Sequence, residues 1–180
     1  MNQNSTIPPG KALEVLQEPA VIRDAVEGDL TALEWGGEYQ HFRSVFRHAY
    51  AEAQASRRWM LVAEAGGQVV GQIFVQLYSS QRQFADGGRR AYLYAFRVRP
   101  DFRGLGIGTE LMRAAETRLT EHGFHEAVIA VNKDNPEARR LYERLGYRVF
   151  MEDAGEWSYL DDQLERRQVV EACWVLEKQL

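Results

Sequence analysis

The sequence predicts an α/β fold, a mixed α+β sheet with helices on both of its faces. Three observations lead there. Short apolar runs rich in β-branched residues are interspersed with segments of helical periodicity, in the order β-α-α-β-β-β-α-β-α-β-β. Two of the strands face each other across the pair Gly66-Gly67. One strand ends in a glycine-rich turn that opens directly into a helix. A doubly wound sheet would alternate strand and helix throughout, and this order does not.

The chain has 180 residues, which suits one domain with a core of its own. That domain is expected over residues 20–180, after a flexible arm at residues 1–19 in which Pro8-Pro9-Gly10 breaks regular structure. A first strand falls at residues 21–23. Asp29 is placed to cap a helix from Leu30, interrupted by Gly36-Gly37. A second helix is expected over residues 40–54, where Phe42, Val45, Phe46, Ala49 and Ala53 share a face. Residues 59–65 and 69–78 are the hairpin strands. Residues 79–90 carry Asp86-Gly87-Gly88 without apolar pattern and read as a long loop.

A buried strand follows at residues 91–99 and stops at Pro100. Leu111, Met112, Ala115 and Leu119 then line one side of a helix that Gly123 ends. Residues 127–131 are short, apolar and β-branched, as a central strand requires. Asn135-Pro136 starts the next helix, with Asn135 as cap and Pro136 in the first turn. Its inner face is Ala138, Leu141, Tyr142 and Leu145, and Gly146 closes it. Strands at residues 147–151 and 169–176 complete the order, with an acidic, aromatic-bearing loop between them.

Composition excludes several functions. No apolar run approaches the roughly 20 residues of a membrane helix. The net charge is -4 and no long basic block occurs, which argues against nucleic acid as the main ligand. Arg139, Arg140 and Arg144 form a small basic face that reads as solvated helix surface. A single cysteine, Cys173, allows no internal disulfide and no multi-cysteine metal site, and its strand position makes it core. His41, His48, His122 and His125 show no metal-ligand spacing, so no metal is expected. Residues 1–19 lack the apolar centre of a signal peptide, so the expected compartment is cytoplasmic.

The segment Val98-Arg99-Pro100-Asp101-Phe102-Arg103-Gly104-Leu105-Gly106-Ile107-Gly108-Thr109 carries most of the functional information. Glycines at alternate positions let backbone amides converge on a ligand. The helix that begins there adds unpaired N–H groups and the positive end of a dipole, which suit a phosphate. Arg103 adds a charge-assisted donor. A Walker turn would follow its last glycine with Lys and then Ser or Thr, whereas Gly108 is followed by Thr109-Glu110. A dinucleotide fingerprint spaces its glycines G-x-G-x-x-G, and here they run G-x-G-x-G. Alone, the turn fits a ligand-free connection equally well.

With its surroundings, the turn resembles the GCN5-related N-acetyltransferase (GNAT) superfamily. Arg103, Gly106 and Gly108 match that family's Arg-x-x-Gly-x-Gly, after a strand and Pro100. Asn135, Ala138, Leu141-Tyr142 and Leu145-Gly146-Tyr147 follow at the family's spacing. The resemblance covers residues 59–180 well and residues 21–54 more loosely. It implies an acyl-CoA N-acyltransferase fold, with a mostly antiparallel mixed sheet of six or seven strands.

It also implies acetyl-CoA as co-substrate, its pyrophosphate on Arg103, Gly104, Leu105, Gly106, Ile107, Gly108 and the amide of Thr109. The backbones of Phe96, Arg97 and Val98 would pair with the pantetheine arm, and the Val98 amide would polarise the thioester carbonyl. Tyr142 matches the family's general acid, although periodicity alone would make it a core residue. Asn135 would serve both as helix cap and cofactor contact. The implied reaction is direct attack by a primary amine of a small molecule or peptide within a ternary complex.

The amine's base is not evident: the position some members fill with a carboxylate is Ala130. Glu34, Glu38 and Tyr159 are candidates for the acceptor side, where carboxylates among aromatics suit a cation. The same exposed aromatics, Trp157 and Tyr159, would equally fit a homodimer interface. Two other readings are a non-catalytic acyl-CoA-binding or sensor domain on the same fold, and a nucleotide-binding module using the glycine turn.

Overall fold

A computed structural model describes residues 19–180; the N-terminal arm expected at residues 1–19 lies almost wholly outside them. The described residues form nine strands: β1 (Val21–Asp24), β2 (Arg58–Ala65), β3 (Gln68–Gln76), β4 (Arg90–Val98), β5 (Glu126–Asn132), β6 (Arg148–Asp153), β7 (Glu156–Leu160), β8 (Arg166–Val170) and β9 (Cys173–Gln179). Among the described residues three α-helices join them: α1 (Arg43–Gln54), α2 (Ile107–Glu121) and α3 (Pro136–Arg144). Seven strands form one sheet in the order β1-β2-β3-β4-β5-β9-β6, while β7 and β8 form a separate two-stranded sheet. Only the β4–β5 pair is parallel among the pairs of the large sheet. The expected mixed, mostly antiparallel sheet with helices on both faces is what the chain adopts.

Alternation along the strands builds two cores. On one face Leu61, Ile73, Leu93 and Ile129 meet Leu111, Met112, Ala115 and Leu119 of α2. Tyr142 of α3 belongs to the same cluster. On the other face Met60, Val62 and Phe74 pack against Phe46 and Ala49 of α1. Burying a side chain of this size contributes about 1.5–3 kcal/mol. Beside that second core, Phe84 from the long loop covers Val128, Cys173 and Val175. That loop is tied down by Asp86, whose carboxylate accepts from the amides of Gly88, Arg89 and Arg90.

Two sequence expectations fail. The helix capped by Asp29 is instead a run of 3-10 turns at Glu27–Asp29, Ala32–Gly37 and Gln40–Phe42. Asp29 does not cap it; its carboxylate accepts from both Arg23 nitrogens at 2.7 and 3.0 Å and from the Val26 amide at 2.8 Å. Trp35 and Gly36 take left-handed φ values of 49° and 70°, which no α-helix accommodates. The second helix therefore starts at Arg43 rather than at Gln40.

The second failure lies in the acidic segment, which folds as the β7–β8 hairpin rather than as a loop. The final strand then begins at Cys173, four residues later than expected. Gly155 makes the junction possible: with φ at 66°, a Cβ there would stand 1.9 Å from the carbonyl oxygen of Glu171.

Candidate active site

The large sheet is incomplete at its centre. β4 and β5 pair from Arg90↔Glu126 to Leu93↔Ile129 and no further. Beyond that point residues 94–98 of β4 have no partner strand on the β5 side, and a wedge opens between the two strands. A bulge marks the place. Between Gln72↔Arg97 and Phe74↔Tyr94, β4 spends three residues where β3 spends two. Ala95 sits in the bulge with φ at 50°, a left-handed value that is strained for a residue with a Cβ.

The alternation of an antiparallel ladder fixes which backbone groups face the wedge. The Arg99 amide donates to Val70 Oof β3 at 2.8 Å. Its neighbour Val98 therefore turns its own N–H and C=O the other way, toward the wedge. That carbonyl accepts from Arg103 Nε at 3.1 Å, while the amide has no counterpart strand. By the same alternation Phe96 also faces the wedge, whereas Arg97 turns its backbone groups to β3. The expected backbone roles thus find free groups at Phe96 and Val98 and not at Arg97.

The glycine turn lies at the wide end of the wedge. Gly104 and Gly106 have φ values of 76° and 85°, which other residues rarely adopt. Gly106 is the N-cap of α2 and, lacking a side chain, makes no cap bond. The amides of Ile107, Gly108 and Thr109 precede the first helical bond, from the Glu110 amide to Gly106 O, so they stay available. Helix α3 is the contrast: Asn135 Oδ1 accepts from the Ala138 amide at 3.1 Å, and that terminus is filled by its own chain. A Cβ on Gly108 would stand 3.0 Å from Phe96 Cζ, so this glycine lets α2 close on the wedge. Leu105 at the tip of the turn is exposed.

Tyr142 reaches the same wedge from α3. Its ring lies 6.1 Å from that of Phe96 and 6.2 Å from that of Tyr147, and it is 5% exposed. Burial pushes its phenol pKa well up, with the nearby Tyr92 adding to the effect. The group therefore keeps its proton at any working pH.

Across the sheet, on the α1 side, aromatic rings gather over β4. Phe42 lies 4.9 Å from Tyr159 and 6.1 Å from Trp157, and Trp157 stacks on Tyr159 at 5.2 Å. Tyr39 packs edge-on to Trp35 at 5.1 Å. The hairpin is held to α1 by Ser44 Oγ, which donates to Asp161 O at 2.9 Å, and to the preceding 3-10 turn by Gln40 Nε2, which donates to Asp162 at 2.9 Å.

The acidic candidates part company here. Glu34 is buried in a two-point pair with Arg43, both contacts at 2.7 Å. Glu38 is exposed beside Tyr39, whose pKa burial raises, with help from Glu38. Tyr159 is half-buried within the aromatic group.

Sequence reasoning missed two side chains. Arg97 Cζ sits 4.0 Å from the Tyr39 ring centre and 5.1 Å from that of Phe42. Its cross-strand neighbour Gln72 is 0% exposed. Gln72 interrupts the apolar run of residues 69–75 and Arg97 that of residues 91–98, and that was the available signal. Among the described residues, no three or more His, Cys, Asp or Glu side chains gather as a metal site. No helix of the described residues is long and apolar enough to cross a membrane.

Comparison with known proteins places this geometry. The model of the acetyltransferase (GNAT) family matches residues 26–147. The L-methionine sulfoximine/L-methionine sulfone acetyltransferase of Pseudomonas paraeruginosa is 30% identical over 132 residues, covering 72% of each chain. Among solved structures, Ard1 from Thermoplasma volcanium superposes with a TM-score of 0.67 at 20% identity, over 91% of this chain and 99% of that one. Arabidopsis thaliana Naa50 in complex with the bisubstrate analogue CoA-Ac-MVNAL gives 0.65 at 17% identity, over 91% and 100%.

Proposed function

The chain belongs to the acetyltransferase (GNAT) family, and from that premise we propose that it moves the acetyl group of acetyl-CoA to a primary amine of a small molecule or peptide by direct attack. One observation carries the reading: the wedge between β4 and β5 opens beside an uncapped helix start. A chain carrying a pyrophosphate at one end and a thioester at the other suits that pair of features.

Each part of the site then has a task. The amides of Ile107, Gly108 and Thr109, with Arg103, hold the pyrophosphate. The backbones of Phe96 and Val98, which face the wedge, hold the pantetheine arm as a strand would. The thioester brings an acyl group activated for attack. As the amine's C–N bond forms, negative charge grows on the carbonyl oxygen, and the Val98 amide supports it. The C–S bond breaks, and the sulfur receives a hydrogen bond from Tyr142. A thiol pKa near 8.5 and a phenol raised above its usual 10 make complete transfer uphill, so the bond itself is the contribution.

The amine's own proton leaves to water or a group outside β4 and β5. Ala130 and residues 92–96 offer no carboxylate for it. The Pseudomonas relative is named for small amino-acid derivatives, and the Naa50 complex carries a peptide joined to CoA. Both kinds of acceptor present a primary amine.

Two measurements test the proposal. Acetyl-CoA at 100 times its Kd should stabilise the fold by about 2.7 kcal/mol, read as a rise in Tm. A thiol-release assay against a diverse amine panel should find turnover. No thermal shift at millimolar acetyl-CoA would remove the donor assignment, and a shift without thiol release from any amine would remove the transfer.

A further inference from the structure

Most charged side chains packed into this fold are matched. Arg23 meets Asp29 and Glu64, Arg43 meets Glu34, and Arg90 meets Glu126 and Glu177. Arg97 is the exception in the aromatic cluster. Its Nη1 is out of solvent with no hydrogen-bond partner, and no carboxylate pairs with it among the described residues. Desolvation presses its pKa down, with the Tyr39 phenol and Glu38 acting against that. An arginine nonetheless stays charged.

Directly across the ladder, Gln72 is wholly buried with neither Nε2 nor Oε1 hydrogen-bonded. Trp35 Nε1, in the same aromatic group, is likewise buried and unbonded. Orphaned buried donors cost about 1–3 kcal/mol each, so their concentration around one guanidinium calls for an occupant.

We propose that Arg97, Gln72 and Trp35 form an anchor for a carboxylate on the acceptor, so that the favoured substrates are amines bearing a carboxylate close to the reacting nitrogen. The inference rests on the acetyltransferase reading and narrows it. Phe96 and Val98 flank Arg97 on β4 and line the wedge with their backbones. The Phe96 side chain goes to the Tyr142 side of the sheet, and the Arg97 side chain goes to the α1 side. An acceptor approaching the wedge from the α1 side meets Arg97 beside the reacting carbon.

The charge also bears on the group. The Arg97 guanidinium beside Tyr39 and Phe42 balances one carboxylate, and Arg99, 6.0 Å from the Trp35 ring, adds a second positive charge that favours an anion on this face. The planar guanidinium and the neutral Gln72 and Trp35 donors satisfy carboxylate oxygens without further charge.

The test separates binding from turnover. The full chain loaded with coenzyme A is titrated calorimetrically with L-phenylalanine, L-phenylalaninamide and 2-phenylethylamine, and with L-methionine and L-methioninamide. Thiol release from acetyl-CoA is measured with the same compounds at matched free-amine concentration. The acids should bind about 10- to 100-fold tighter than their amides and show a similar advantage in kcat/KM.

Arg97→Met should erase that preference while acetyl-CoA affinity, set by the turn and by backbone groups, changes less than about twofold; Arg97→Lys should restore part of it. Gln72→Leu, which removes the orphans without leaving a void, should weaken the preference and keep the fold. Equal binding of acid and amide, binding of neither, or equal loss of both in Arg97→Met would overturn the anchor. Turnover without preference for the acid discards the anchor and keeps the acetyltransferase. Selective binding of the acids without thiol release discards the transfer and keeps the anchor.

Discussion

A phenol sunk into a core holds its proton more tightly than one in water. Tyr142 is in that condition, with its ring packed between Phe96 and Tyr147. In the proposed reaction that condition suits it to donate toward sulfur and not to act as a base toward the amine. Tyr142→Phe keeps the packing and removes the hydroxyl. It should lower kcat about 100-fold and leave acetyl-CoA affinity nearly unchanged, measured by thiol release and by titration. An unchanged kcat would return Tyr142 to a purely structural part. The residue was legible because its motif stands at a recognisable distance from the glycine turn. The side chain of Arg97 was not legible, since an arginine in a strand does not announce which face it occupies. The bulge at Ala95 settles that face, and bulges leave no dependable mark in a sequence.

At the level of elements, the start of α2 is the most specific piece of local design. Its cap position holds a residue with no side chain and a left-handed φ, so the first turn's amides are left for a ligand. Gly106→Ala would force a Cβ into that conformation at a cost of about 1 kcal/mol. The variant should melt at a lower temperature and lose most of the stabilisation that acetyl-CoA gives. A variant with the full acetyl-CoA shift would show that the turn does not hold the ligand.

The helices and most strands of the large sheet were legible because each has one face buried, and burial is what writes a period into a sequence. The β7–β8 hairpin was not. Trp157, Leu160 and Val170 are exposed in it, and its register is held by Asp161. Burial alone would raise that carboxyl; the Glu165 amide, the Arg167 guanidinium and the Gln163 amide outweigh it and hold it below the usual carboxylate range. Side-chain-to-backbone bonds of this kind have no periodicity to detect. The same reasoning explains Asp29, which reads as a cap until Arg23 claims it.

Across the whole molecule, the two cores share an unusual load of phenols. Of eight tyrosines, Tyr92, Tyr94, Tyr142 and Tyr147 all have pKa values raised chiefly by burial. Tyr94 is held back partly by Arg58, and Tyr147 is pushed further by Glu116. Each of these shifts favours the neutral form in the folded state. Their contribution is therefore complete below the unfolded tyrosine value near 10 and is lost as pH climbs beyond it. Urea unfolding followed against pH should show stability falling steeply above about pH 10. Phenolate absorbance from the buried rings should appear together with unfolding rather than before it. Smooth titration of all eight rings in a folded protein would contradict this burial pattern. The order of the large sheet's strands and of α1 to α3 was readable along the chain, but which phenols end up in which core depends on register across strands far apart in sequence.

An unpaired strand edge is ordinarily a hazard, because another chain can add to it and begin an aggregate. Proteins usually meet that hazard at the rim of a sheet, with charge, proline or a covering segment. This fold keeps such an edge in its interior, between two walls that converge at Leu93 and Ile129. A second polypeptide would need a full strand spacing of about 4.8 Å on either side, and room for side chains above and below. A slot that tapers to closure refuses it and leaves room for a slenderer chain. Shape alone thus protects the unpaired ladder: the opening is too narrow for another strand to enter.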